Sequence, residues 1–293
     1  MNQNANFKAE LILVLVTILA GMGWVFAKEV LVGLPPFFFI AFRFLIGGGA
    51  LFLVGKKYFH GVKWADLKQA SIVGVVMGVT MMFWIIGLDQ GSSLGVGAFI
   101  TSLGVVMVPV MARFMFGQRP PLSIWVALPF AILGLAFLAL SNGVGFEMSQ
   151  LYFFCAAVCV AFQLNLLARF SLSIHALVLT AIQLTVAGVF LLIVSLLTEA
   201  LPSSISVDVA GWLLASGLIA TSLRYLLQNY ALSLTPVSHG AVIMNLEPVW
   251  AAIFAVVWFA EVMAGGQVFG CLLIFAAMLI SRWPQIKLIF KHN

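Results

Sequence analysis

Three charges lie where a chain this apolar has least reason to keep them: Arg43, Arg224 and Glu247. Each stands well inside an apolar run. An ionisable side chain at the centre of a bilayer costs about 2.5–3.5 kcal/mol on insertion scales, so each must face a partner or water. The carboxylate belongs to the stretch IMNLEPVW, residues 243–250, where Asn245, Glu247 and Pro248 fall close together. A buried carboxylate can exchange a proton or hold a cationic group. Pro248 lacks an N–H and leaves the carbonyl of Met244 without its helical partner. Beside Asn245 and Glu247 that carbonyl makes a polar notch where the helix can bend. Pro109 can act in the same way on Val105 in an earlier run.

Depth relates these groups to one another. Glu247 lies roughly ten residues, about 15 Å, from one end of its run, and Arg224 lies about 14 Å from the same face on the preceding run. Consecutive antiparallel helices carrying them at similar depth predict that the two are paired or share one cavity. A purely structural pairing, in which Glu247 only holds Arg224, is the competing reading. Arg43 enters from the opposite face and lies about 12 Å below it, which makes it a separate element tied to backbone carbonyls. Trp24, Trp84, Gln163, Tyr225, Asn229 and Asn245 add aromatic and amide groups inside the runs. Together they suggest a cavity with aromatic walls and a few amides, suited to a small amphipathic solute.

The elements that carry these residues must be membrane helices. Hydrophobic residues make up 63% of the 293 and charged residues 8%, against about a quarter charged in soluble domains. So little charge cannot make a water-facing shell. A span needs about 20 apolar residues, and charge, proline and glycine divide the chain into ten: 10–29, 35–55, 67–89, 93–117, 122–141, 149–169, 174–198, 209–233, 237–260 and 264–283. The first run, Leu11–Ala27, has no cleavage site behind it and reads as a retained helix. The fifth and tenth spans hold almost nothing polar and read as scaffold or homodimer-facing helices.

Basic residues orient the bundle. Lys8, Lys56, Lys57, Lys63, Lys68, Arg113, Arg119, Arg169, Arg282, Lys287 and Lys291 fall on one side with both termini. Lys28 falls on the other, with Glu29, Asp89, Glu147, Glu199, Asp208 and Glu261. The positive-inside rule makes the basic side and both termini cytoplasmic. The formal charge of +5 is thus a matter of topology, and the expected partners are a small-molecule substrate and the lipid bilayer, with no nucleic acid.

Shifted by about 143 residues, the chain overlays itself. GAFITSLGVVMVPVMARFMFGQ, from Gly97, falls on GAVIMNLEPVWAAIFAVVWFAE, from Gly240. Five spans per copy is an odd number, so the second copy enters the membrane inverted. Residues 1–145 and 146–293 then form two five-helix repeats of an all-α membrane protein, the construction of secondary transporters. Gly104 stands where the second copy has Glu247, so the polar chemistry is asymmetric between the copies.

Catalysis is not expected. There is no H-E-x-x-H, and Asp66, Asp89 and Asp208 sit at span ends, where they cannot form a buried aspartyl pair. Cys155 and Cys159, one turn apart, permit a metal pair, but small apolar packing is the commoner use. No metal or cofactor is expected.

GLPPFFFIAFRFLIGGGALFL and MNLEPVWAAIFAVVWFAE resemble the signature segments of the drug/metabolite transporter superfamily, EamA type. Pro36, Arg43, Glu247, Pro248 and Glu261 match that pattern in order, while Gln118 departs from the helix-ending glutamate of the first repeat. The resemblance implies an inner-membrane exporter or exchanger of small metabolites, often amino acids, with a central cavity between the repeats. The aromatic residues favour aromatic or bulky amino acids. Other metabolites or lipophilic drugs are the alternative, ahead of a channel or a non-transporting scaffold.

Overall fold

The computed structural model describes residues 3–117, 119–140, 147–170, 174–234 and 243–283; at residues 3–7, 139–140, 229 and 232–234 only the backbone is described. These residues form ten helical rods and no strand. The first seven are α1 (Gln3–Leu31), α2 (Pro36–Gly55), α3 (Trp64–Gln90), α4 (Leu94–Phe116), α5 (Leu122–Leu140), α6 (Met148–Phe170) and α7 (Ala176–Thr198). The eighth consists of α8 (Val207–Gly217), a π-helical turn (Leu218–Leu223) and α9 (Arg224–Leu234) in unbroken succession. A 3₁₀ turn, Met244–Leu246, opens α10 (Glu247–Phe259), and α11 (Gly265–Ser281) follows.

Seven helices are long and apolar enough to cross a membrane; Leu122–Leu138, Met244–Phe259 and Gly265–Ser281 are apolar but shorter. In the ninth run residues 235–242 lie outside the described residues, Ile243 is helical, and the 3₁₀ turn separates it from α10. Outward-facing Leu53, Leu197 and Val257 are mostly exposed, as side chains that meet acyl chains should be.

Packing sets which helices surround the centre. α2 lies along α7, α3 contacts α6 and α7, α4 contacts α6, and α1 runs beside the eighth rod and α10. α5 and α11 pack on each other and leave Ile132, Leu133, Phe269 and Leu272 exposed. One close approach matters for the site: a side chain at Gly47 would meet the Thr221 methyl at 2.7 Å, so only glycine lets α2 press against the π turn.

The end of the bundle that carries the acidic residues is tightly tied. Glu199, following α7, accepts the backbone N–H groups of Phe37 and Phe38 at 2.8 and 2.9 Å, satisfying two of the orphan donors of α2. Glu261, following α10, accepts from Leu94 N–H at 3.0 Å, the Ser93 hydroxyl at 3.0 Å and Lys28 Nζ at 2.9 Å. Ala260, with φ 51°, is the non-glycine residue in the left-handed region among the described residues. Its turn aims Glu261 at the N-terminus of α4. Just inside, Trp24 meets Trp84 edge to face at 4.8 Å and Phe153 at 5.9 Å. At the opposite, basic end, Tyr58 stacks on His175 at 4.1 Å and Arg169 lies over the Phe116 ring at 5.4 Å.

Candidate functional site

A cavity of about 440 Å³ occupies the middle of the bundle, within the roughly 300–1,000 Å³ range of small-molecule sites. Trp24 and Trp84 line it towards the acidic end, and it extends along Leu164, Leu167 and Thr180 to Arg282 towards the basic end. Gln163, Tyr225, Asn245, Glu247, Arg224, Pro248 and Arg43 all line it. The side chain of Asn229, and Gln118, lie outside the described residues.

Arg224 and Glu247 are brought together: Nη2 stands 3.5 Å from Oε2, with the two side chains 19% and 29% exposed. That is the outer edge of a hydrogen bond. The guanidinium also lies over the Tyr225 ring at 5.1 Å. The pair is loose and leaves Arg224 Nε buried without a partner.

Arg43 is not the separate element that straight-helix depth suggests. It lines the same cavity, and its Nε donates to the Thr221 hydroxyl at 3.0 Å rather than to backbone carbonyls. The π turn makes this possible. Its extra residue rotates Thr221 towards α2, and the Thr221 and Ser222 hydroxyls donate to carbonyls five residues back, Ser216 at 3.0 Å and Gly217 at 2.9 Å. Ser222 also reaches the Gly47 carbonyl at 3.3 Å. Single π turns inside α-helices mark functional sites more often than chance. No sequence signal announces one.

The prolines differ from the expectation. Pro248 occupies the first turn of α10, where its missing N–H is no loss. The Met244 carbonyl is not left free: it accepts the Glu247 N–H in the 3₁₀ turn. The result is still local irregularity beside the cavity, with Asn245 2% exposed and its Nδ2 unpartnered. Pro109 does not break α4, which runs from Leu94 to Phe116 through it. Asn165 on α6 braces that point, donating to the Val108 carbonyl at 2.9 Å.

Sequence reasoning missed Thr180, Gln183 and Thr221 and put Arg282 on the surface; all four line the cavity. Thr180 and Gln183 are three apart in a mostly apolar run, a one-face spacing that could have found them. A G-x-S-x-G string at Gly91–Gly95 is no nucleophile elbow. Ser93 caps α4, accepting from Val96 N–H at 3.3 Å while its hydroxyl donates to Glu261. Among the described residues no three of His, Cys, Asp and Glu stand together as a metal set.

Fold and site together define a polytopic helical membrane protein with a solute-sized, partly polar cavity at its centre. The model of the EamA-like transporter family matches residues 7–140 and again 148–283. The chain belongs to that family, within the drug/metabolite transporter superfamily. An uncharacterized transporter of Archaeoglobus fulgidus is 27% identical over 276 residues, 93% of this chain and 85% of its own length. The uncharacterized transporter YoaV of Bacillus subtilis is 24% identical over 285 residues, 94% of this chain and 97% of its own. A protein crystal structure at 19% identity shares the fold, with a TM-score of 0.62 over 94% of this chain and 97% of that one. The family is one of membrane transporters, not of enzymes.

Proposed function

We propose that the chain is a secondary transporter of the inner (plasma) membrane that exports or exchanges small metabolites by alternating access. Amino acids, aromatic or bulky ones first, are the favoured solutes. The observation that carries this reading is the cavity itself. Residues one repeat apart line it in pairs: Thr101 with Met244, Ser102 with Asn245, Val105 with Pro248, Ala20 with Gln163 and Trp24 with Leu167.

Helix pairings support the same symmetry. The α4 and α6 contact has its counterpart in α10 and α1, and the α3 and α6 contact in the eighth rod and α1. The α2 and α7 contact and the α5 and α11 contact map onto themselves. Two matches to one family model agree with a repeat boundary between residues 140 and 148. In this reading ten spans form two inverted repeats, and the basic end with both termini is cytoplasmic. A homodimer, where one forms, uses the outer faces of α5 and α11. The acidic end, closed by Glu199, Glu261 and the Trp24–Trp84–Phe153 cluster, is then the outer gate.

Counterflow in proteoliposomes tests this reading. Saturable exchange of labelled amino acids is expected, with Glu247→Gln folding normally and exchanging at least about tenfold more slowly. Unsaturable conductance would replace the carrier with a pore. Counterflow of other metabolites or lipophilic drugs alone would keep the carrier and remove amino acids. Normal exchange by Glu247→Gln at every pH would remove the carboxylate from the mechanism.

A further inference from the structure

The cavity holds more positive charge than the chain can neutralise. Three guanidinium groups, Arg43, Arg224 and Arg282, line it against one carboxylate, Glu247, an excess of two charges. The chain has nine acidic residues in all. The other eight are Glu10, Glu29, Asp66, Asp89, Glu147, Glu199, Asp208 and Glu261, and none of them lines the cavity. Glu247 is engaged with Arg224. Arg43, 9% exposed and roughly seven residues or about 10 Å into its helix, has no carboxylate at ion-pairing distance among the described residues.

An unpaired guanidinium in a bilayer interior is expensive, and a fork of five donors matches a carboxylate better than any other small anion of metabolism save phosphate. The fold takes care to keep this fork in place. Gly23 leaves room for Arg43 Nη2, which would stand 3.1 Å from a side chain there. Thr221 holds Nε from the π turn and so leaves the two Nη groups as the free edge. Two further buried donors without partners line the same space, Arg224 Nε and Asn245 Nδ2.

We propose that the solute carries a carboxylate, that this carboxylate is the missing counter-ion of Arg43, and that Arg43 is the residue that selects for it. Arg224 and Asn245 complete the donor set. The apolar part of the solute lies towards Trp24 and Trp84. The assignment rests on the transporter reading for its physiological meaning, but it is a statement about binding and can be tested without transport.

The test uses detergent-purified full-length protein and three probes of matched shape: 3-phenylpropanoate, its neutral amide 3-phenylpropanamide, and phenethylamine. Binding is read from tryptophan fluorescence and thermal shift at constant ionic strength. The carboxylate should bind saturably and at least about tenfold more tightly than the amide or the amine. Arg43→Gln should remove that preference, and Arg43→Lys should restore part of it. The probe series on the unaltered protein decides the matter even if Arg43→Gln fails to fold. Equal binding of the amide or the amine, no saturable carboxylate binding, competition by chloride or inorganic phosphate at equal concentration, or an unchanged preference in a folded Arg43→Gln protein would each overturn the assignment. Arg43-dependent carboxylate binding without counterflow would keep the subsite and sink the transporter reading. Counterflow of neutral or cationic solutes that ignores Arg43→Gln would do the reverse.

Discussion

Glu247 opens α10 and Glu261 follows its end, fourteen residues on in sequence, and the two are treated in opposite ways. Glu261 is 10% exposed, sits 2.9 Å from Lys28 and also accepts a backbone N–H and a hydroxyl. Glu247 is 29% exposed, and its contact with Arg224 is stretched to 3.5 Å. A carboxylate whose lone pairs are filled by the protein holds helices together. One left with capacity to spare, lining a cavity with three guanidinium groups, is available to something that comes and goes. Charge satisfaction therefore separates closure from cavity more sharply than burial does.

Truncating both residues is the strongest way to break that contrast. Glu261→Ala strips three donors of their acceptor and leaves Lys28 partly buried without its counter-ion. The expected loss is about 3 kcal/mol, drawn from the cost of orphaned donors and broken buried pairs. Glu247→Ala removes a long, part-exposed pair worth under about 1 kcal/mol, yet should abolish most exchange. Thermal unfolding in detergent, run beside counterflow, reads both effects. Equal destabilisation by the two variants would erase the distinction. Glu199→Gln sharpens the contrast on the structural side. Phe37 and Phe38 donate to separate oxygens of Glu199, so the amide keeps an acceptor for one N–H, turns a donor towards the other, and gives up the charge that complements the N-terminus of α2, a loss of about 2 kcal/mol with exchange preserved.

Much of this could be read from the sequence, within a definable limit. Helical runs, buried charges and the shared depth of Arg224 and Glu247 follow from counting at 1.5 Å per residue, because that arithmetic holds on a regular helix. It failed for Arg43, since the residue that receives it, Thr221, lies in a π turn that shifts the register of the eighth rod. It failed for Arg282, because that residue, just past the end of α11, lines the cavity rather than facing out into solvent. Pro248 was visible, but whether a proline breaks a helix or begins one depends on what its neighbours do. Here the 3₁₀ turn decides. The saturation of Glu261 was invisible, because it is made by Lys28, Ser93 and Leu94 from two distant helices.

The smallest effect tests how that saturation is set up. Ala260 holds a left-handed conformation at φ 51°, which costs an L-residue about 1–2 kcal/mol. At the end of α10 the N–H groups of Ala260 and Glu261 both reach back to the Ala255 carbonyl, the helix-ending geometry that glycine ordinarily serves. Ala260→Gly relieves the strain but adds unfolded-chain freedom worth about 0.4–1 kcal/mol. The net expectation is a gain below about 1 kcal/mol, seen as a small rise in the unfolding midpoint with exchange unchanged. That gain depends on Glu261 being worth placing. In a Glu261→Ala background the glycine should still relieve its own strain and give the same increment, since the two terms are local and independent. A larger increment in the wild-type background would mean that the alanine also holds Glu261 away from its best position, so that the clamp on α4 is weaker than its distances imply.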